Sequence, residues 1–213
     1  MTGFPVILSA PSGSGKTTIA KALIDRRPDL GYSVSCTTRS PRPGEIEGRD
    51  YYFITRAEFI AERERDAFAE SAVVHGNLYG TLRREVERVV AGGQHVVMDI
   101  DVQGAQQFMR AFPQSVTIFI LPPSADVLLE RLRGRKTESA AQLAARLQSA
   151  LQELQQVGEY EYVVVNDDLE RAVASVGSII DAETVSRERV KNLKKQVGLL
   201  IERLELEIEN TTP

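Results

Sequence analysis

Residues Ala10 to Thr17 read A-P-S-G-S-G-K-T, directly after the apolar run Val6-Ile7-Leu8 and directly before a helix-like stretch from Ile19 to Arg26. A strand, a loop of small residues, Lys-Thr and a helix, in that order, let backbone amides close around phosphate oxygens. Gly13 and Gly15 allow the turn and the close approach of backbone to anion. Pro11, Ser12 and Ser14 complete the loop. Lys16 is placed to bridge the outer phosphates of a nucleoside triphosphate, and Thr17 to offer its hydroxyl to Mg2+. The loop's first position, glycine in the usual pattern, is Ala10, so a Cβ must be tolerated there. Such a loop constrains the whole chain, because it belongs at the carboxyl end of the first strand of an open α/β sheet.

The rest of the chain keeps that rhythm. Near-continuous apolar runs at Pro5 to Ser9, His95 to Ile100, Val116 to Leu121 and Tyr162 to Val165 predict strands buried on both faces of a parallel sheet. Between them, helical patterns span Lys16 to Arg27, Leu82 to Ala91, Gly104 to Ala111, Ala125 to Leu132, Ala140 to Val157 and Leu169 to Thr184. The alternation predicts right-handed βαβ units in a three-layer α/β fold. Tyr32 to Thr81 breaks the rhythm with Pro41, Pro43, Gly44, Gly48, Gly76, Gly80 and short strand-like pieces, which predicts a compact, mostly β insertion. Gly134 to Ser139 separates two arginine-bearing helices and marks a lid. The expected division is a core of residues 1–33, 83–127 and 151–182, an insertion of 34–82, a lid of 128–150 and a terminal helix in 183–213.

That last helix is expected from about Glu183 to Glu209, with Val190, Leu193, Val197, Leu200, Leu204 and Ile208 at three- and four-residue steps and Gly198 weakening the pattern. The narrow stripe suits either packing on its own subunit or a contact between two copies, and the residues leave both open.

Composition excludes several classes. At 213 residues with 42% hydrophobic and 26% charged, the chain can bury a core as one soluble domain with insertions. A net charge of −4 argues against non-specific nucleic-acid binding, which needs a basic footprint. Cys36 is the single cysteine, so no internal disulfide forms and a reducing cytoplasm is expected. The N-terminus lacks a signal-peptide pattern, and no apolar run approaches the length of a membrane span. His75, His95 and Cys36 show no metal-ligand spacing and are read as structural.

Several further motifs, in order, give the chain a closer likeness. They are S-V-S-C-T-T-R-S-P-R from Ser33 to Arg42, G-R-D-Y from Gly48 to Tyr51 and G-N-L-Y-G-T from Gly76 to Thr81. After them come D-I-D-V-Q-G from Asp99 to Gly104, R-L-R-G-R from Arg131 to Arg135 and V-N-D-D from Val165 to Asp168. With the phosphate loop, and over Val6 to about Ala182, the chain resembles the guanylate kinases. The resemblance implies a P-loop fold with a GMP-binding insertion and a helical lid, and transfer of the γ-phosphoryl group of MgATP to GMP, and to dGMP, in purine nucleotide metabolism.

It also implies residue roles. Arg39 and Arg42 would hold the GMP phosphate with Tyr51; Arg suits this because its planar fork meets phosphate bidentately. Glu70 would accept guanine N1–H and the 2-amino group together, a pair of donors that adenine does not present. Ser35 and Thr81 would reach the base through hydroxyls, and Tyr79 would help hold the nucleotide. Thr81 stands where guanylate kinases commonly have Ser, and the hydroxyl is kept. Arg131 and Arg146 would close over the moving phosphoryl group, Arg135 would lie near the adenine or phosphates, and Asn166 would contact adenine. Asp99, at the end of an apolar strand, is placed to orient Mg2+ waters, with Asp101 a further candidate for base or metal. Either acid could instead cap the helix that follows.

The acceptor oxygen is already anionic, so no general base is needed, and positioning with cationic charge carries the catalysis. Two other readings differ in substrate or class: a kinase for AMP, UMP or CMP, and a catalytically silent module that binds phosphopeptides. Glu70 with Ser35 and Thr81 opposes the first. Intact Lys16, Thr17 and lid arginines oppose the second.

Overall fold

The computed structural model describes residues 3–74, 76–133 and 140–211. Its centre is strand β1 (Pro5–Ser9), buried at all five positions. Val6 and Leu8 join one apolar cluster and Ile7 another, as the two-residue period of a strand covered on both faces requires. Strands β7 (His95–Asp99) and β8 (Val116–Leu121) flank it in parallel, and β9 (Tyr162–Val165) extends the sheet beyond β8. The four expected strands are all present. A fifth, β2 (Leu30–Tyr32), pairs in parallel with β7 and completes the order β2-β7-β1-β8-β9. At three residues it is too short for an apolar pattern to announce it.

Helices α1 (Lys16–Arg26) and α7 (Leu169–Thr184) cover one face through Ile19, Leu23, Val176 and Ile180. Helices α3 (Arg83–Ala91) and α4 (Val102–Ala111) cover the other through Val86, Val89 and Phe108. Each helix follows or precedes its strand by a short connection, so the sheet's carboxyl edge is left open for the phosphate loop.

The inserted segment forms a second sheet in the order β4-β3-β6-β5. Its strands are β3 (Cys36–Thr37), β4 (Tyr52–Phe53), β5 (Phe68–Val74) and β6 (Asn77–Leu82). A small core of Cys36, Phe59, Phe68, Leu78 and Leu82 holds it, with Phe59 and Phe68 stacked at 4.3 Å. Burial raises the Cys36 thiol to about 12, which agrees with an inert packing residue. The segment also contains helix α2 (Arg56–Glu64), which the β-rich reading left out. Its one sequence signal is the capping box: Thr55 accepts the Glu58 amide, and the Glu58 carboxylate accepts the Thr55 amide at 2.7 Å.

Helices α5 (Ala125–Arg133) and α6 (Ala140–Gln155) pack together through Leu128, Leu132 and Ala150. The long terminal helix expected from about Glu183 requires correction. Helix α7 ends at Thr184, and α8 (Leu193–Thr211) begins only after eight residues. Arg189 causes part of the break: it pairs with Glu183 at 3.1 Å, donates to the Gln114 carbonyl at 3.0 Å and stacks over Phe4 at 4.2 Å. Asn192 then takes a left-handed φ of 57°, a conformation Asn adopts more readily than most residues.

Candidate functional site

The loop between β1 and α1 turns on itself, with the Ser14 amide donating to the Pro11 carbonyl at 3.1 Å. Gly13 and Gly15 both have φ of 87°, and Gly15 caps α1. A Cβ at Gly15 would also lie 2.4 Å from Asn166 Nδ2, so the position requires glycine twice over. Asn166, buried at the end of β9, donates from Nδ2 to the Ser14 carbonyl at 2.7 Å. Ala10 is buried and does not share the positive φ, so its Cβ costs the loop no strain.

Lys16 lies across the ends of β1 and β7. Its Nζ donates to the Ile100 carbonyl at 2.6 Å and pairs with Asp99 Oδ1 at 2.9 Å. The pairing register Leu8 to Asp99 brings these groups together from positions more than eighty residues apart. Asp101 does something different: it caps α4, accepting the Gly104 amide at 2.7 Å. The two acids thus make different contacts, Asp99 with Lys16 and Asp101 with the start of α4.

Between the core sheet and the inserted sheet lies a cleft of about 670 Å³, lined by Thr17, Ser35, Glu70, Tyr79, Asp99 and Asp101 among others. That size suits a small organic ligand. Glu70 sits opposite Thr81 in the β5–β6 pairing, next to an irregularity between Phe68 and Glu70. Thr81 Oγ1 donates to Glu70 Oε1 at 2.6 Å and lies 3.3 Å from Ser35 Oγ. Burial raises the Glu70 pKa, and the hydroxyl bond from Thr81 opposes that rise only in part. Gly104 approaches from the opposite wall; a Cβ there would come within 3.3 Å of Oε2. A buried carboxylate flanked by two hydroxyls is built to accept neighbouring N–H groups.

Glu45 is held by the Arg39 side chain and the Arg42 backbone. The Arg39 guanidinium meets both Glu45 oxygens, at 2.8 and 2.9 Å, while the Arg42 amide donates to Oε2 at 2.7 Å. The Arg39 guanidinium, first among these partners, holds the Glu45 carboxyl down at about 2. Arg39 Nε also donates to the Tyr79 hydroxyl at 3.2 Å, and its guanidinium lies 5.4 Å from the Tyr51 ring centre. The Arg42 residue is exposed. Glu45, which lines the cleft, was not singled out in the sequence; the R-x-x-E spacing from Arg42 is the signal that could have found it.

On the other side of the loop, Arg131 of α5 donates to the Gly13 carbonyl at 3.4 Å. Arg146 of α6 donates to Ser12 Oγ at 3.3 Å and to the Leu132 carbonyl at 2.8 Å. Glu153, two turns further along α6, accepts the Ser12 amide at 3.3 Å. In the sequence Glu153 is one acid among many, with no local signal of this contact. Arg135, the Gly134–Ser139 interruption and His75 lie outside the described residues.

Among the described residues no three His, Cys, Asp or Glu side chains gather as a metal-holding group. Thr17 and Asp99 supply hard oxygen donors beside the loop, a set that suits Mg2+ carrying phosphate and water as its other ligands.

Comparisons with known proteins agree with this geometry. The family model described as guanylate kinase matches residues 2–183. The guanylate kinase of Rhizobium meliloti (strain 1021) is 48% identical over 202 residues, covering 94% of this chain and 92% of its own. That of Nitrosospira multiformis is 44% identical over 194 residues, 91% of each chain. Among solved structures, the crystal structure of guanylate kinase from Anaplasma phagocytophilum superposes with a TM-score of 0.72 at 36% identity. It covers 91% of this chain and 93% of that one.

Proposed function

The chain belongs to the guanylate kinase family and phosphorylates GMP with ATP; we propose that the cleft between its two sheets receives GMP and the Ala10–Thr17 loop the triphosphate. The Glu70–Thr81–Ser35 cluster, buried at Glu70 and Thr81 and facing the same cleft as Thr17 and Asp99, carries this reading. Glu70 accepts N1–H and the 2-amino group of guanine; adenine offers an acceptor at N1 and would leave the carboxylate unpaired. A site built on such buried hydrogen bonds discriminates by about 10⁴ or more. dGMP presents the same base and is accepted too.

Arg39 and Arg42, with Tyr51 and Tyr79, hold the GMP phosphate, exchanging the Glu45 carboxylate for it. Lys16 and the loop amides grip the ATP phosphates, and Asn166 and Arg135 hold the adenosine side. Arg131 and Arg146 stabilise the phosphoryl group in transit. The GMP oxygen attacks phosphorus as an anion, so these residues act by in-line placement and by neutralising charge. Mg2+ bound to ATP would be held by Thr17 and, through water, by Asp99; it supplies charge neutralisation on the phosphate oxygens. Asp101 fixes the start of α4 beside the base.

We place the enzyme in the cytoplasm, without nucleic-acid or membrane partners: it is mildly acidic, and no described helix is long and apolar enough to cross a membrane. Its macromolecular partner is a second copy, paired antiparallel through α8. No residue of α8 is buried, and Val197, Leu200, Leu204 and Ile208 all expose their side chains. Within α8, Lys194 and Lys195 stand at one end without an acid, while Glu202, Glu205, Glu207 and Glu209 share the other with a single Arg203. Antiparallel pairing sets the basic end of each helix against the acidic end of its partner. Light scattering should return twice the chain mass, falling to one chain in Leu200→Glu/Leu204→Glu; a monomeric parent protein contradicts the pairing.

The direct test of the reaction is a coupled assay with ATP and Mg2+ against GMP, AMP, UMP and CMP. GMP alone should support turnover near the maximal rate. Equal use of AMP, or no turnover with any acceptor, would overturn the reading in favour of another monophosphate kinase or a binding module.

A further inference from the structure

Ser12 is held from two directions by one helix. Arg146 and Glu153 are seven residues apart on α6, so they project from one face, roughly two turns or ~10.5 Å apart along the axis. Arg146 reaches the Ser12 hydroxyl, and Glu153 accepts the Ser12 amide, each at 3.3 Å. Ser149, on the same face between them, donates to the other Glu153 oxygen at 3.5 Å. The adjacent face of α6, with Leu147, Ala150 and Leu154, is apolar and packs toward α5. Polar and apolar faces thus dock the helix simultaneously on the phosphate loop and on α5.

The Ser12 amide points at Glu153, so it is already engaged by a side chain outside the loop. Glu153 is therefore ill suited to binding phosphate, and an anion beside a triphosphate site would ordinarily weaken it. Its geometry serves another purpose. With Ser12 fixed at its amide, the Ser12 hydroxyl is a rigid seat for Arg146, whose other arm is tied to the end of α5 at Leu132.

We infer that Glu153 is a positioning residue for phosphoryl transfer: by holding the Ser12 amide it sets the register of α6 on the loop and so aims Arg146 at the transferring group. This rests on the role proposed above for Arg146. Placement errors near 1 Å cost transfer rates up to about 10²-fold, so a missing anchor should be visible in kcat. Because ATP and GMP can still bind, KM for GMP should hardly move. A carboxamide retains an acceptor oxygen at the same reach and should replace Glu153, whereas Asp is one methylene too short.

A double-mutant cycle in the full chain tests this, with Arg146→Ala, Glu153→Ala and the double variant measured at saturating ATP and GMP. Glu153→Ala should lower kcat by at least about tenfold, and the loss should vanish in the Arg146→Ala background. Glu153→Gln should stay within a few-fold of the parent, and Glu153→Asp should behave like Glu153→Ala even if the Ala variant folds poorly. Losses that multiply in the double variant, or a Gln variant as slow as the Asp variant, would overturn the inference. Parent-like kcat in Arg146→Ala would instead overturn the role of Arg146 itself.

Discussion

Thr81 donates its hydroxyl to Glu70, a residue only 9% exposed, at 2.6 Å. The bond fixes one carboxylate oxygen against the β5–β6 ladder and turns the group toward the cleft. Glu70→Gln keeps the shape but replaces one acceptor by an NH2 donor facing a guanine donor. KM for GMP should rise by about 10²-fold or more, since a buried polar group is then left mismatched. KM for ATP should be unchanged, and steady-state kinetics with each nucleotide varied in turn checks this.

The same carboxylate sets a pH dependence. Burial raises its pKa above the ordinary 4.5. Folded Glu70 therefore binds its proton at a higher pH than the unfolded chain does, and it opposes folding above that range, an opposition that disappears as pH falls below the ordinary value. The protonated acid no longer offers two acceptors to guanine. KM for GMP should rise as pH falls, beginning above the range where ordinary carboxylates titrate. That rise should be absent in Glu70→Gln, which should also melt slightly higher than the parent at neutral pH.

Gly15→Ala places a Cβ 2.4 Å from Asn166 Nδ2 at a residue whose φ is 87°. The left-handed backbone alone costs about 1–2 kcal/mol. Thermal unfolding should show a lower Tm, and ATP affinity by calorimetry should fall with it. In Asn166→Ala the clash is relieved but the backbone strain is kept, so the double variant should recover only part of the loss.

Asp99 and Lys16 should act as a unit. In Asp99→Asn the 2.9 Å ion pair becomes a neutral contact, and the oxygen donor proposed above for Mg2+ waters is weakened. Turnover should fall by about 10–100-fold. The Mg2+ concentration for half-maximal rate should rise, which a magnesium titration at fixed ATP reads directly. Lys16→Ala should abolish turnover while circular dichroism remains that of the parent.

What the chain declares in one dimension is what depends on short spans. The β1 strand, the loop and α1 follow one another within residues 5–26, and the apolar runs of β7, β8 and β9 are continuous enough to read. Strand β2 and helix α2 escaped because three residues carry no period and because Thr55 and Glu58 are a faint signal inside a loop-rich segment. The ion pair of Asp99 with Lys16 depends on the β1–β7 register, which no local pattern encodes. Glu45 and Glu153 look like ordinary surface acids until folding brings them against Arg39 and Ser12. The terminal helix starts later than expected because Arg189, just ahead of the Val190-to-Ile208 stripe, is drawn back onto Phe4 and Glu183.

Guanine reading by Glu70 is tested most directly by comparing GMP with IMP, which keeps N1–H but lacks the 2-amino group. The measurement is kcat/KM for both acceptors in the parent enzyme and in Glu70→Gln, with ATP saturating. The parent should prefer GMP by about 10-fold or more, as loss of one buried hydrogen bond to a charged group requires, and Glu70→Gln should bring the two acceptors close together. An undiminished preference for GMP in Glu70→Gln would contradict the assignment.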